Sequence, residues 1–434
     1  MTKEFFKYAI PSALAMFISS LYTVIDGIFV GQGVGDSALA AVNIVLPFTV
    51  LLFGLASMFA IGGGAFVSKN IGANNVEKAV NIFRQVFKFL LILSAGISII
   101  CIIFTEQIVT ILGATESLQG LAVDYLRYYA IFCIPNLIGI VLSSFVRNDG
   151  RPKLAMVSTI AGAVTNIILD YIFIFELGFG IKGAAIATGL GQIVTVSILL
   201  PHFLKKKGYL TFGSVKLDKK LIKEFSVIGF PSFLAQASYS IMVVLHNLAL
   251  VKYAGEIGIS AYSIINYLTT NIYMVIYGVT LGVQPLISYN YGRKNGAKMM
   301  GFFKITCITS SVVSAFFVVI SFVFGPKLIG IFTSDPEIAR LAYNALKIAS
   351  FSYFAVGINL NTIVYYQAIE KPKYSTLSCI FRAIVFLPIC LIMLGGMFGT
   401  NGVWASAIVA ETLTCITMKL IANIKTSTQS VLNS

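Results

Sequence analysis

The chain has 434 residues, of which 57% are hydrophobic and only 11% are charged. A soluble domain carries about 25% charged residues, so a water-soluble fold of this length is excluded. The formal net charge of +14 does not indicate a nucleic-acid partner, because the Lys and Arg residues lie in short segments between apolar runs, as membrane topology requires.

Apolar runs long enough to cross a bilayer recur along the whole chain. A spanning helix needs about 20 apolar residues and satisfies its own backbone groups. Twelve stretches meet this rule: residues 8–31, 41–69, 85–104, 121–145, 155–177, 182–203, 226–251, 260–289, 303–323, 340–366, 377–398 and 402–422. We therefore predict an all-α integral membrane protein with twelve transmembrane helices.

The basic residues are distributed unevenly between the two sides of the predicted membrane. Of the 31 Lys and Arg residues, 24 fall in the N-terminus, the loops after even-numbered helices and the C-terminus. Six lie in or beside the opposite loops, and Arg382 lies within the eleventh helix. Because cytoplasmic loops hold the excess of positive charge, both termini are predicted to be cytoplasmic.

The sequence repeats itself after a shift of 220 residues. The shift aligns Pro11 with Pro231, Ser68 with Ser288, Asn75 with Asn295 and Pro152 with Pro372. We predict two homologous six-helix bundles, residues 1–204 and 225–434, joined by a basic cytoplasmic linker at 205–224. An even number of helices gives both bundles the same orientation, and substrate sites of such transporters lie between the repeats.

Five ionisable side chains fall inside the predicted helices, where each costs about 2.5–3.5 kcal/mol on insertion scales. They are Asp26, Asp170, His246, Arg382 and Glu411. Each therefore needs a structural or functional reason.

Polar residues of the N-terminal half share one predicted depth. Asn166 precedes Asp170 by one helical turn, and Thr188 lies between Ala184 and Gln192 on one face of the next helix. At about 1.5 Å per residue, Asp170 and Thr188 lie roughly 10 Å and 9 Å below the outer surface, and Asp26 is comparably deep. Two carboxylates at equal depth favour an ion pathway over a purely structural role.

The oxygen atoms of this group suit two coupling ions. Carboxylate, amide and hydroxyl oxygens are ligands for a small hard cation such as Na⁺. Two carboxylates in a low dielectric also favour the uptake of a proton by one of them. The residues leave the choice between H⁺ and Na⁺ open, and we expect no other cofactor.

The C-terminal half offers weaker candidates for a substrate cavity. His246 occupies the repeat position of Asp26, and Glu411 pairs by repeat with Gln192 after a one-residue slip. Glu411 is interpreted either as a group that attracts cations or as a buried hydrogen-bonding group, and Arg382 is expected to snorkel toward the cytoplasmic surface. The candidate cavity residues are Gln192, His246, Gln284, Arg382 and Glu411.

Six sequence motifs are distributed over nearly the whole length of the chain. They are VIDGIFVGQGVGDSALAAVNIVLPF (24–48), FVRNDGRPK (145–153), NIILDYIFIFELGFGIKGAAIAT (166–188), GVQPLISYNYGRKNGAK (282–298), YYQAIEKPK (365–373) and NGVWASAIVAE (401–411). Together they resemble the multidrug and toxic compound extrusion (MATE) family, and the fourth motif is most similar to its MepA-like bacterial subgroup.

The resemblance implies a V-shaped pair of bundles that alternate access across a bacterial cell membrane and act as a monomer. It also implies a cation site formed by Asp26, Asn166, Asp170, Thr188 and the backbone carbonyl of Ala184. The other group of the family uses acidic residues of the C-terminal half. His246 stands there in place of a carboxylate, which argues against a second site of that kind, whereas Glu411 leaves the question open.

Three classes of function compete on these observations. The leading hypothesis is an antiporter that exports small organic cations. A lipid-linked oligosaccharide flippase is the alternative, but it should line its cavity with several Arg and Lys residues, and Arg382 is the only one predicted at depth. The duplicated halves disfavour a channel or receptor, and no motif indicates an enzyme.

Overall fold

A computed structural model describes the backbone of residues 1–432 and the side chains of residues 1–421. Its membrane-crossing helices are α1 (Thr2–Gly33), α2 (Asp36–Gly72), α3 (Val76–Ile103), α4 (Glu116–Ile131 with Cys133–Asn148), α5 (Pro152–Glu176), α6 (Gly180–Leu204), α7 (219–254), α8 (256–292), α9 (Gly296–Gly330), α10 (Pro336–Ala349 with Ser352–Ala368), α11 (Pro372–Phe398) and α12 (Thr400–Leu432). The last two residues of the predicted C-terminal bundle, 225–434, lie outside the described residues.

The number of helices agrees with the prediction once one long helix is divided. Within the described chain, nine helices are long and apolar enough to span a membrane, and two bent pairs bring the number to eleven. One of the nine, Lys219–Gly292, is interrupted at Gly255, where φ is 59° and ψ is −151°. Only glycine adopts this backbone conformation readily, so the chain divides there into α7 and α8 and the total is twelve.

The 220-residue repeat is visible in the backbone as well as in the sequence. Gly255 corresponds to Gly35, which has a φ of 112° and separates α1 from α2. Asn75 caps α3 by accepting a hydrogen bond from the N–H of Lys78, and Asn295 caps α9 by accepting one from Lys298. Corresponding turns in the two halves therefore use the same local chemistry.

Two predicted continuous helices are broken, and a short helix, Thr105–Ile111, precedes α4. The segments of α4 meet at 53° and those of α10 at 50°. In α4, Pro135 has no N–H to donate to the carbonyl of Ile131. In α10, the hydroxyl of Ser350 donates a hydrogen bond to the carbonyl of Lys347. The N–H of Phe351 donates to the carbonyl of Ile348 instead of to that of Lys347.

The predicted linker is shorter than expected, because its last six residues are helical. Asp218 accepts hydrogen bonds from the N–H groups of Lys220 and Leu221, which starts α7 at Lys219. We call residues 1–204 the N-terminal half, residues from 219 onward the C-terminal half, and the end of the bundle that carries the linker the linker end.

Side chains of the N-terminal half hold the rest of the linker in place. Asp149 is buried, and its Oδ2 lies 2.8 Å from the His202 Nε2. The Asp149 carboxylate also accepts hydrogen bonds from the N–H groups of Tyr209 and Leu210. Arg84 of α3 donates to the carbonyl of Thr211. The linker is therefore bound along the N-terminal half up to the start of α7.

The two halves pack tightly against each other at the linker end. A side chain on Gly72 would overlap the carbonyl of Tyr289, and one on Gly292 would overlap the carbonyl of Lys69. These two contacts are related by the 220-residue shift. An ion pair between Lys69 and Glu370 also joins the halves. Glycine at both positions thus lets α2 and α8 approach closely enough to close this end.

Candidate functional site

The polar residues of α5 and α6 meet because two glycines allow these helices to approach closely. A side chain on Gly162 would overlap the Thr195 hydroxyl, and one on Gly191 would lie against the carbonyl of Gly162. This contact sets Asn166 opposite Thr188, and the Asn166 Nδ2 donates to the Thr188 Oγ1 at 3.4 Å. The Asn166 amide oxygen is left without a hydrogen-bond donor within the described part of the chain.

Two carboxylates lie beside this amide. Asp170 of α5 is completely buried, and it interacts electrostatically with Asp26 of α1. Both oxygens of Asp170 and Oδ1 of Asp26 are buried, and none of them forms a hydrogen bond of normal geometry with a described residue. Asn166 and the two carboxyl groups nevertheless lie within reach of one another. Buried acceptors of this kind normally have partners. The group therefore presents four oxygen atoms that suit a cation or a proton.

The protein packs closely around the carboxylates. Ala184 is fully buried one turn before Thr188, in a cluster that contains Val30 of α1 and Ile174 of α5. Residues Ile172–Glu176 form a π-helical turn directly after Asp170. Such turns occur often at functional sites, because the extra residue changes the direction of neighbouring side chains.

Two tyrosines near the carboxylates were not predicted from the sequence. Tyr22 and Tyr125 both lie within electrostatic range of Asp26 and Asp170. Tyr22 precedes Asp26 by four residues, so helical spacing could have identified it. No sequence signal marks Tyr125, because its place beside the site depends on how α4 packs against α2 and α6.

A cavity of about 170 Å³ extends from this group toward the linker end. Most of its lining belongs to the N-terminal half, and Tyr277 and Leu281 of α8 line it from the other half. Asn166, Thr188 and Gln192 line it, and so does Arg147 of α4. Arg147 is buried and forms no ion pair with any described residue. Arg147 is therefore a second buried arginine that was not predicted from the sequence, and it lies one residue before the end of its helix segment, Cys133–Asn148. Arg147 belongs to the second motif (145–153) and was assigned to a loop because the fourth helix was predicted to end at residue 145.

A second cavity, of about 140 Å³, lies in the C-terminal half, and His246, Arg382 and Glu411 line it. The Glu411 Oε1 accepts hydrogen bonds from Nε and Nη2 of Arg382 at 3.0 and 2.6 Å. Its Oε2 accepts one from Asn359 at 2.6 Å. The expectation that Arg382 snorkels to the surface is wrong, because a buried carboxylate holds it inside the protein.

Gln284 lines neither of these two cavities. It is buried in α8, and its Nε2 donates to the hydroxyl of Ser288 at 3.1 Å. Ser288 in turn donates to the carbonyl of Ala368. The side chain thus takes part in helix packing near the linker end.

The comparison with known proteins agrees with the repeat and with the helix count. A family model described as MatE matches residues 11–172 and, a second time, residues 231–392. The chain is 31% identical over 422 residues to the multidrug export protein MepA of Staphylococcus saprophyticus. This match covers 96% of this chain and 93% of that protein. MepA of Staphylococcus aureus is 27% identical with the same coverage.

Solved structures show the same architecture. An outward-facing multidrug resistance MATE family transporter of the MOP superfamily has a TM-score of 0.93 and 25% identity. A MATE protein in complex with MaD3S has a TM-score of 0.92 and 26% identity. Each match covers 98% of this chain and 96% of the other. The chain therefore belongs to the MATE family and has its fold of twelve transmembrane helices.

Proposed function

We propose that this protein is a secondary active multidrug efflux transporter, which exports organic cations in exchange for H⁺ or Na⁺ by alternating access. The relatives named as multidrug export proteins support this class of function. The single observation that carries the coupling role is the pair of buried carboxylates, Asp26 and Asp170, because three of their four oxygens form no hydrogen bond of normal geometry among the described residues.

The pair provides a physical basis for exchange. Two negative charges held together at membrane depth are costly unless a positive charge neutralises at least one of them. A proton, a sodium ion or the cationic group of a substrate can each do this. Occupation by one of them weakens the attraction for the next, so the coupling ion and the substrate compete for the same charge.

The surrounding groups fit Na⁺ as well as a proton. Carboxylate, amide and hydroxyl oxygens are hard ligands. The Asn166 Nδ2 donates a hydrogen bond to the Thr188 hydroxyl. This orientation turns the Asn166 amide oxygen away from Thr188 and leaves it free for a cation. Asp26, Asn166, Asp170 and Thr188 would hold the ion, with the carbonyl of Ala184 beside them.

Arg147 makes the N-terminal cavity electrically asymmetric. Arg147 lies one residue before the end of its helix, at the linker end. Asn166 and Thr188, which lie beside the two carboxylates, line another part of the same cavity. A cation in the cavity is therefore repelled from the linker end and drawn toward Asp26 and Asp170. Gln192 lies on the same wall and can hydrogen-bond a bound substrate.

Alternating access in this proposal is a movement of two bundles, residues 1–204 and 225–434, about the linker at 205–224. The pivot lies near Asp218, since the preceding linker residues are bound to the N-terminal half. The excess of Lys and Arg supports a cytoplasmic location of the linker end and of both termini in a bacterial cell. The tight packing there then corresponds to a state closed to the cytoplasm, and a monomer contains all the parts required.

A lipid-linked oligosaccharide flippase remains the alternative. Arg147 adds a second buried arginine to the one expected from the sequence. Glu411 neutralises Arg382, however, so only one unpaired arginine lines either of the two cavities. An anionic head group would find too little positive charge, and this favours the cation exporter.

The test is efflux of ethidium from vesicles under separately imposed pH and Na⁺ gradients. Asp26→Asn and Asp170→Asn should each abolish coupled efflux, because each removes a charge from the site. Asp124→Asn is the matched control, since Asp124 lies in the same half but pairs with Lys182 near the surface. Wild-type efflux rates in either site variant, at normal expression, would refute the assignment.

A further inference from the structure

The cavity of the C-terminal half differs in charge from the coupling site. It lies between α7, α8, α10, α11 and α12. Its carboxylate, Glu411, already accepts two hydrogen bonds from Arg382 and one from Asn359. A cation that entered would therefore find no free negative charge, and an anion would find no free positive charge. The cavity suits an uncharged ligand.

Aromatic rings form the walls of this cavity. The imidazole of His246 stacks on Tyr262 with 5.2 Å between ring centres and 8° between planes. Tyr262 stacks in turn on Trp404 at 6.2 Å and 23°. Tyr239 and Tyr273 lie 6.5 Å apart at another part of the wall. Ring faces and edges of this kind pack well against a flat aromatic partner.

Three hydrogen-bond donors in the same cavity are available to a ligand. The Ser238 Oγ and the Trp404 Nε1 are buried and have no partner among the described residues. The Tyr353 Oη is also buried and forms no hydrogen bond of normal geometry there, although Ser321 lies near it. All three residues line the cavity and are at most 4% exposed. Unsatisfied buried donors are costly. A ligand with acceptor atoms would satisfy them.

We propose that this cavity is a second binding site, which takes an uncharged planar aromatic molecule that carries hydrogen-bond acceptors such as carbonyl oxygens. The paired charges set the preference for an uncharged ligand, the aromatic walls set its planarity, and the three donors set the need for acceptors. Binding here does not depend on Asp26 or Asp170, so the site is independent of the cation exchange proposed above.

The chain carries its own reporter for this site. Trp404 is the only tryptophan of the protein and forms part of the cavity wall. The probe is 7-amino-4-methylcoumarin, which is flat, uncharged at neutral pH and has a carbonyl acceptor. It absorbs where tryptophan emits, so its binding to the full chain in lipid nanodiscs quenches Trp404 by energy transfer. The variant Trp404→Phe measures the background fluorescence change that does not come from Trp404.

We expect saturable quenching, and a Kd that rises about threefold to tenfold in Ser238→Ala and in Tyr353→Phe, since each variant loses one neutral hydrogen bond to the ligand. Asp170→Asn should abolish coupled efflux and leave the Kd for the coumarin unchanged. A thermal unfolding midpoint like that of the wild type identifies folded variants.

Three results would overturn the proposal. They are quenching that does not saturate, an unchanged Kd in both donor variants, and displacement of the coumarin by ethidium at concentrations that saturate efflux. The last result would mean that cations occupy the same cavity. Failure of efflux alone would affect the proposed transport function and not this site.

Discussion

Breaking the ion pair between Arg382 and Glu411 should destabilise the protein more than removing both charges. Arg382 is 6% exposed and Glu411 is 1% exposed, so solvent screens the pair very little. Removing one partner of such a buried pair leaves an uncompensated charge and costs about 3–5 kcal/mol. We expect Glu411→Gln and Arg382→Gln each to lower the free energy of unfolding by about this amount.

The double variant Arg382→Gln/Glu411→Gln leaves two neutral side chains in the same space. Because neither buried charge remains, most of the loss should be recovered, and the coupling free energy should exceed about 2 kcal/mol. The measurement is unfolding by SDS titration in mixed micelles, followed by circular dichroism. Asp124→Asn, which breaks a half-exposed pair with Lys182 at 3.3 Å, is the control and should cost at most about 1 kcal/mol.

Two outcomes would refute this reasoning. Single variants whose effects add to within about 0.5 kcal/mol in the double variant would mean that the two side chains act independently. Unchanged stability in Glu411→Gln, together with a selective loss of affinity for cationic drugs, would mean that the carboxylate attracts substrate. The sequence alone allowed that second interpretation, which the hydrogen bonds from Arg382 and Asn359 oppose.

Two further predictions concern the closed linker end and the ion site. Lys69→Gln should open the linker end about fivefold more often, a modest effect for a partly exposed pair worth about 1 kcal/mol. Ser12 of α1 is buried against Gly282 of α8, between the two halves. Opening should therefore be seen as faster labelling of Ser12→Cys in a background without the native cysteines. The swap Lys69→Glu/Glu370→Lys should restore slow labelling, and equal rates in all three proteins would contradict the role of the pair. Thr188→Ala should weaken Na⁺ binding about threefold to tenfold without abolishing transport, since one neutral ligand among several is lost. Unchanged Na⁺ affinity by isothermal titration would place the ion elsewhere.

The sequence by itself determined the class of fold and the repeat. A backbone in lipid must satisfy its own hydrogen bonds, so a run of apolar residues can only be a helix. Turn chemistry at Asn75 and Asn295 recurs at the same shift as the apolar runs. Depth also follows from counting residues along a helix, and the structure does bring Asn166, Asp170 and Thr188 together with Asp26.

Only the tertiary structure decided which polar side chains meet across helices. Counting along a helix predicts depth, but the rotation of the helix about its axis depends on packing against its neighbours. For this reason Arg382, which was expected to reach the surface, pairs with Glu411 inside the protein. Arg147, assigned to a loop, faces a cavity, whereas Gln284, assigned to a cavity, lies in packed helices. Each of these placements depends on contacts between residues far apart in the chain, and a hydropathy pattern contains no record of such contacts.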